Sequence, residues 1–224
     1  MSHETIYQAL YVQGRGTLRE ELTTLKAVRS GRVARRPRSG LPVRVGKPWL
    51  DGAHFSRRPA EATDRAVPGH WEGDLVIGGN GRSALITLVE RTSRFCLIAR
   101  LPELRTSPLV VAQLTTMIQA LPAELFRSLT WDQGSEMANH RRFTMAANCP
   151  VFFCDPHSPW QRGSNENLNG LIRDFYPKGT NFADLNDTDV AQMQQLLNTR
   201  PRMTLDWQTP AERLEQLMTV ALTT

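Results

Sequence analysis

Cysteine is scarce here: three residues (Cys96, Cys149 and Cys154) among 224, an odd number with no framework spacing, so a disulfide-stapled fold is excluded. No apolar run reaches the ~18 residues that a membrane-spanning helix needs. The opening Met-Ser-His-Glu-Thr shows no basic stretch followed by an apolar one, so no secretory signal is expected and a reducing, cytoplasmic setting is. Neither G-x-x-x-x-G-K-S/T nor a strand-borne G-x-G-x-x-G occurs, so no nucleotide cofactor is implied. Cys149 and Cys154, with His140 or His157, lack the paired spacing of a zinc site, and Cys154 reads better as a buried strand residue.

What is present is an uneven charge. Residues 1–60 hold twelve Lys/Arg against four Asp/Glu, whereas residues 61–224 hold fifteen against eighteen. A basic arm on a slightly acidic domain fits a polyanion-binding segment beside a site that collects carboxylates. A solvated tether is the plainer alternative.

Helical spacing is expected over residues 3–12 and again over about 18–28, followed by the Arg-, Gly- and Pro-rich stretch GRVARRPRSGLPVRVGKP, which reads as an extended linker. From about residue 68 the texture changes. HWEGDLVIGG, SALITLVER and FCLIARL alternate as strands of an antiparallel meander. A helix over 107–121, a strand SLTWD ending at Asp132, a helix over 136–147, a strand VFFC (151–154), and helices over 160–175 and 187–198 follow. The fold class is therefore α/β, a mixed sheet covered by helices on both faces.

Three acids stand where chemistry forms in such sheets. Alternation in the first strand sets Glu72, Asp74 and Val76 opposite Trp71, Gly73 and Leu75. A mid-strand carboxylate is costly unless paired or metal-bound. Asp132 ends the fourth strand before the turn Gln133-Gly134, and strand ends are where open α/β sheets build sites. Glu166 lies on a helix whose expected buried stripe is Leu168, Leu171, Ile172 and Phe175, with Asn169 and Arg173 on its own face and Arg162 one turn earlier. Taken singly, each acid has a structural reading too: an ion pair for Asp74, an Asx turn for Asp132, a solvated helix acid for Glu166.

The longer motifs decide between these readings. RAVPGHWEGDLVIG (65–78), LVERTSRF (88–95), LTWDQGSEMANHRRFT (129–144), FCDPHSPWQRGSNENLNGLIRDFYPKGTNF (153–182) and LNTRPRMTLDWQTPAERL (197–214) strongly resemble transposases of the insertion sequence thirty family. Thirty-three residues separate Asp132 from Glu166, matching that family's DD(33)E pattern. The resemblance implies an RNase H-like, integrase-like catalytic core with Asp74, Asp132 and Glu166 as acidic triad and metal ligands. Two Mg²⁺ or Mn²⁺ ions would be held there for phosphodiester cleavage and strand transfer. Double-stranded DNA (element terminal repeats and target) and a homo-oligomer on that DNA are the implied partners.

Family members usually carry a longer helix-turn-helix region; SHETIYQALYVQG resembles its tail, so an N-terminally truncated form is expected. The division is then 1–30 as the remnant of that helical DNA-binding region, 31–64 as basic linker and 65–224 as catalytic domain. Arg162, Asn165, Asn169 and Arg173, with Arg35, Arg36 and Arg38 of the linker, are candidate DNA contacts. His157 near the scissile phosphate and Trp160 stacking on a base are further readings, each matched by a structural one. A truncated DNA-binding regulator or inhibitor of full-length transposase, or a nuclease without strand transfer, are the alternatives to a transposase.

Overall fold

The computed structural model describes residues 47–222 except 51, 80, 103, 120 and 157. Five strands form one sheet in the order β3-β2-β1-β4-β5: β1 His70–Ile77, β2 Ala84–Glu90, β3 Cys96–Leu101, β4 Ser128–Trp131 and β5 Val151–Phe153. The first three make the expected antiparallel meander, and β4 and β5 join parallel to β1. Five helices pack around it: α1 Ser107–Ile118, α2 His140–Ala147, α3 Gly163–Phe175, α4 Asp187–Thr199 and α5 Pro210–Leu222.

Strand alternation splits the apolar residues into two cores. Trp71, Ile86, Leu88, Leu97 and Leu101 point to the face covered by α1 and α2, where Leu114, Phe143 and Phe153 join them. Val76, Leu85, Val89, Cys96 and Ile98 point to the other, against Leu168 and Ile172 of α3 and Val190, Met193 and Leu197 of α4. A sheet with both faces covered needs strands apolar on both sides, which is why β2 is buried at every position. Helix α4 starts at a capping box in which Asn186 and Asp189 exchange side-chain-to-backbone bonds.

Two parts differ from the sequence-based expectation. Residues 47–50 and 52–64, assigned above to the basic linker, fold onto the sheet instead. Ala53 is buried in the first core beside Trp49 and Leu50, Phe153 N–H donates to the Ala53 carbonyl at 2.7 Å, and a short helical turn spans Glu61–Asp64. The terminal helix α5, which the sequence pattern did not announce, rests on α4. The expected helices over 3–12 and 18–28, and Arg35, Arg36 and Arg38, lie outside the described residues, as does His157. Among the described residues no helix is long and apolar enough to cross a membrane.

Candidate active site

Asp74 and Asp132 come from neighbouring parallel strands, and their carboxylates turn toward one side chain. Arg162, just before α3, places Nη1 3.2 Å from Asp74 Oδ2 and Nη2 3.9 Å from Asp132 Oδ2. The same Nη1 donates to the Gly73 carbonyl at 3.0 Å. Burial pulls the Arg162 pKa down, yet the two carboxylates lift it above its ordinary value. Asp74 shifts the other way: burial pushes its carboxyl above the usual range, Arg162 opposes this and the Asp132 charge adds to it.

Gly73 makes this arrangement possible. A Cβ there would stand 2.3 Å from Trp131 Cζ3, so the tryptophan ring lies across the strand where a side chain would be. Beyond it Asp132 folds back through Oδ1, which accepts from Gly134 N–H at 2.9 Å, the Asx turn foreseen as its structural reading. Asp74 is tied to α3 by Asn169, whose Nδ2 donates to Oδ2 at 2.9 Å.

Glu166 lies three residues before Asn169 on α3, is exposed, and carries no ion pair among the described residues. No three His, Cys, Asp or Glu side chains among those residues approach closely enough to hold a metal as placed. Two hard carboxylate oxygens around one positive charge are nonetheless the donor chemistry that Mg²⁺ or Mn²⁺ prefers, and the guanidinium stands in for a cation there.

The expected DNA contacts on this helix turn inward. Asn165, expected as a DNA contact, is fully buried here and accepts from Thr87 Oγ1 at 3.0 Å, which pins α3 to β2. Its backbone N–H donates to Glu72 Oε2 at 3.0 Å, and Glu72 pairs with Arg91 at 3.3 Å. Arg173 donates to the Ile77 carbonyl at 2.7 Å and lies over the Phe182 ring. Phe175, expected in the buried stripe, is 42% exposed. Trp160 is 73% exposed rather than core. Burial raises the Cys149 and Cys154 thiols to about 12 and about 11, as buried apolar groups rather than ligands.

One acid escapes the sequence patterns. Glu136 accepts from Trp131 Nε1 at 3.1 Å, and burial, with Asp132 adding, raises its pKa. Its signal was its place four residues after Asp132 in WDQGSE.

Residues 64–159 match the integrase core domain, a span containing Asp74 and Asp132 and ending before Glu166. The chain is 44% identical over 219 residues, 97% of its length, to the transposase for insertion sequence element IS1086 of Cupriavidus metallidurans. It is 42% identical over 220 residues to the transposase for IS30A of Escherichia coli. It spans 63% of the first of these relatives and 56% of the second. The catalytic core of BIV integrase superposes with a TM-score of 0.53 at 20% identity, covering 68% of this chain and 98% of that one. The expected RNase H-like architecture is thereby borne out.

Proposed function

We propose that this chain, a homologue of the insertion sequence thirty transposases built on an integrase core, cuts and rejoins DNA in bacterial cytoplasm during transposition. The observation that carries this reading is the convergence of Asp74 and Asp132, from adjacent parallel strands, on the Arg162 guanidinium, with Glu166 on the same helix as Asn169, which touches Asp74.

Asp74, Asp132 and Glu166 would hold two divalent ions, Mg²⁺ or Mn²⁺. Bound there, such ions neutralise charge at phosphorus, activate the attacking oxygen and stabilise the leaving one. The residues' own part is positional. Asn169 and the Leu75 N–H, each 2.9 Å from an Asp74 oxygen, aim that carboxylate, and the Asx turn aims Asp132. Burial disfavours the charged form of Asp74, and a cation beside it opposes that shift, as Arg162 does. In the first step a water oxygen bonds to phosphorus as the P–O3′ bond breaks, freeing a 3′-hydroxyl. In the second that hydroxyl attacks a target phosphorus and a target P–O3′ bond breaks. Element ends and target are the double-stranded substrates, acted on by a homo-oligomer.

Labelled terminal-repeat DNA incubated with the chain and Mg²⁺ or Mn²⁺, beside Asp132→Ala and an EDTA control, tests this. Metal-dependent nicks and joined products absent from Asp132→Ala are expected. DNA bound but never cut under either metal overturns the reading.

A further inference from the structure

On the side of α3 away from Asp74, a cavity of about 340 Å³ opens between the first turns of that helix, the β2–β3 hairpin and the loop after α4. Three arginines line it, Arg65, Arg94 and Arg202, with Ser164, Asn167 and Leu168, and no acid is among its lining residues. We infer that this cavity binds a backbone phosphate of the DNA being processed, a site separate from the acidic pair and resting on the DNA-processing reading above.

Each arginine is held by its own element. Arg65 sits in a left-handed conformation ending the Glu61–Asp64 turn, and its carbonyl accepts from Thr92 Oγ1 at 2.8 Å. Arg94, also left-handed, closes the hairpin that the buried Glu90 carboxylate organises by accepting from the N–H groups of Gly69, Thr92 and Ser93 and from Ser93 Oγ. Its Nη1 donates to Ser164 Oγ at the start of α3. Arg202 is anchored through backbone bonds with Gln208, Leu205 and Trp207, and its Nη2 caps the Leu197 carbonyl at 3.1 Å. Its buried Nε has no hydrogen-bond partner among the described residues.

Like charges gathered around one cavity with no acid in its lining cost free energy that an anion would relieve. Burial, then the neighbouring Arg65 charge, lowers the Arg94 pKa, with Glu72 and Glu90 opposing the shift. The nearest carboxylates are engaged elsewhere, Glu72 with Arg91 and Glu90 with its hairpin. Planar guanidinium forks suit phosphate oxygens, and α3 begins with no side-chain cap, its positive dipole end beside the cavity. The first turn of α3 divides this cavity from Arg162 and the two aspartates. A strand with its scissile phosphate at the acids carries further phosphates every ~3.4 Å along the helix axis, which supplies the occupant.

The test is binding of the full chain to a labelled duplex of arbitrary sequence in EDTA, read as log K against log salt. Arg65→Gln/Arg202→Gln is expected to flatten the slope by about one, the value of one neutralised phosphate. Arg141→Gln, an exposed arginine outside the cavity, leaves it unchanged, and Arg65→Lys/Arg202→Lys retains most of it. Inorganic phosphate is titrated in parallel by thermal shift. Stabilisation of the native chain by phosphate with an unaltered DNA slope in the double variant makes this a free-anion pocket and overturns the proposal. So does an unaltered slope with no phosphate effect. Because EDTA removes cleavage, a chain that never cuts DNA but shows the slope change keeps this site while losing the catalytic reading.

Discussion

Arg162 Nη1 lies 3.2 Å from Asp74 Oδ2, placing a permanent cation where the proposed metal would bind. An ion entering the site must displace that guanidinium or share the carboxylates with it. Arg162→Gln is therefore expected to bind Mn²⁺ severalfold more tightly than the native chain, while its metal-free form melts lower because two facing carboxylates lose their counter-charge. Calorimetric titration with Mn²⁺ and thermal melts in EDTA check the two halves separately. Unchanged affinity sinks the idea that Arg162 competes with metal.

Gly73 predicts a second outcome. A methyl group on its Cα would stand 2.3 Å from Trp131 Cζ3 and 3.0 Å from Leu88 Cδ2, so Gly73→Ala forces a fully buried indole to move. Overpacking of this kind costs about 1–3 kcal/mol. The displaced Trp131 also holds Glu136 and precedes Asp132, so cleavage should fall by more than the loss of folded protein explains. Urea unfolding beside turnover per folded molecule distinguishes the two contributions, and a variant of native stability refutes the clash.

The strands and the acids on them were legible because HWEGDLVI alternates with period two, because ALITLVE is a short apolar run broken only by Thr87 and Glu90, and because Asp132 ends a strand before a turn. Residues 47–64 were not. Trp49, Leu50 and Ala53 are too few and too irregular amid Pro, Gly and Arg to show a period, and they order only because Phe153 and the first core receive them. The inward turn of Asn165 was equally hidden. Its partner Thr87 is far away in sequence, and a polar residue beside Glu166 reads as solvent-facing until the helix is seated. The arginine cavity draws Arg65, Arg94 and Arg202 from three separate elements, so no local window contains it. Periodicity reports which face is buried; it says nothing of which polar groups meet across a seam.

Glu72 and Arg91 are both nearly inaccessible and pair at 3.3 Å, with Glu72 also receiving the Asn165 N–H. Removing one partner strands the other charge in the interior. Glu72→Ala is expected to lower stability by about 3–5 kcal/mol, whereas Glu72→Met/Arg91→Met recovers much of it by removing both charges. Denaturant unfolding of the two variants checks this. If the double variant is no more stable than the single one, the carboxylate's hold on α3, rather than charge pairing, sets the cost.

His140 gives the pH dependence. It is buried at the start of α2 between Trp49 and Phe153, whose ring it meets edge-on at 5.0 Å, and burial lowers its pKa from 6.5. A depressed basic pKa means the fold favours the neutral ring. The resulting stability is complete above pH 6.5 and is lost as pH falls through the lower folded value, because the unfolded chain then binds the proton more readily. His70 contributes with the same sign, its pKa lowered mainly by burial, whereas Asp74 and Glu136 contribute with the opposite sign. The comparison that isolates His140 is therefore native against His140→Gln, not native at two pH values. The gap in unfolding free energy between them should narrow from about pH 7.5 to about pH 5, as the native chain loses the advantage that the variant never had. A gap that stays constant over that range would show that His140 keeps its proton affinity in the fold, and that the aromatic cage around it tolerates the charged ring.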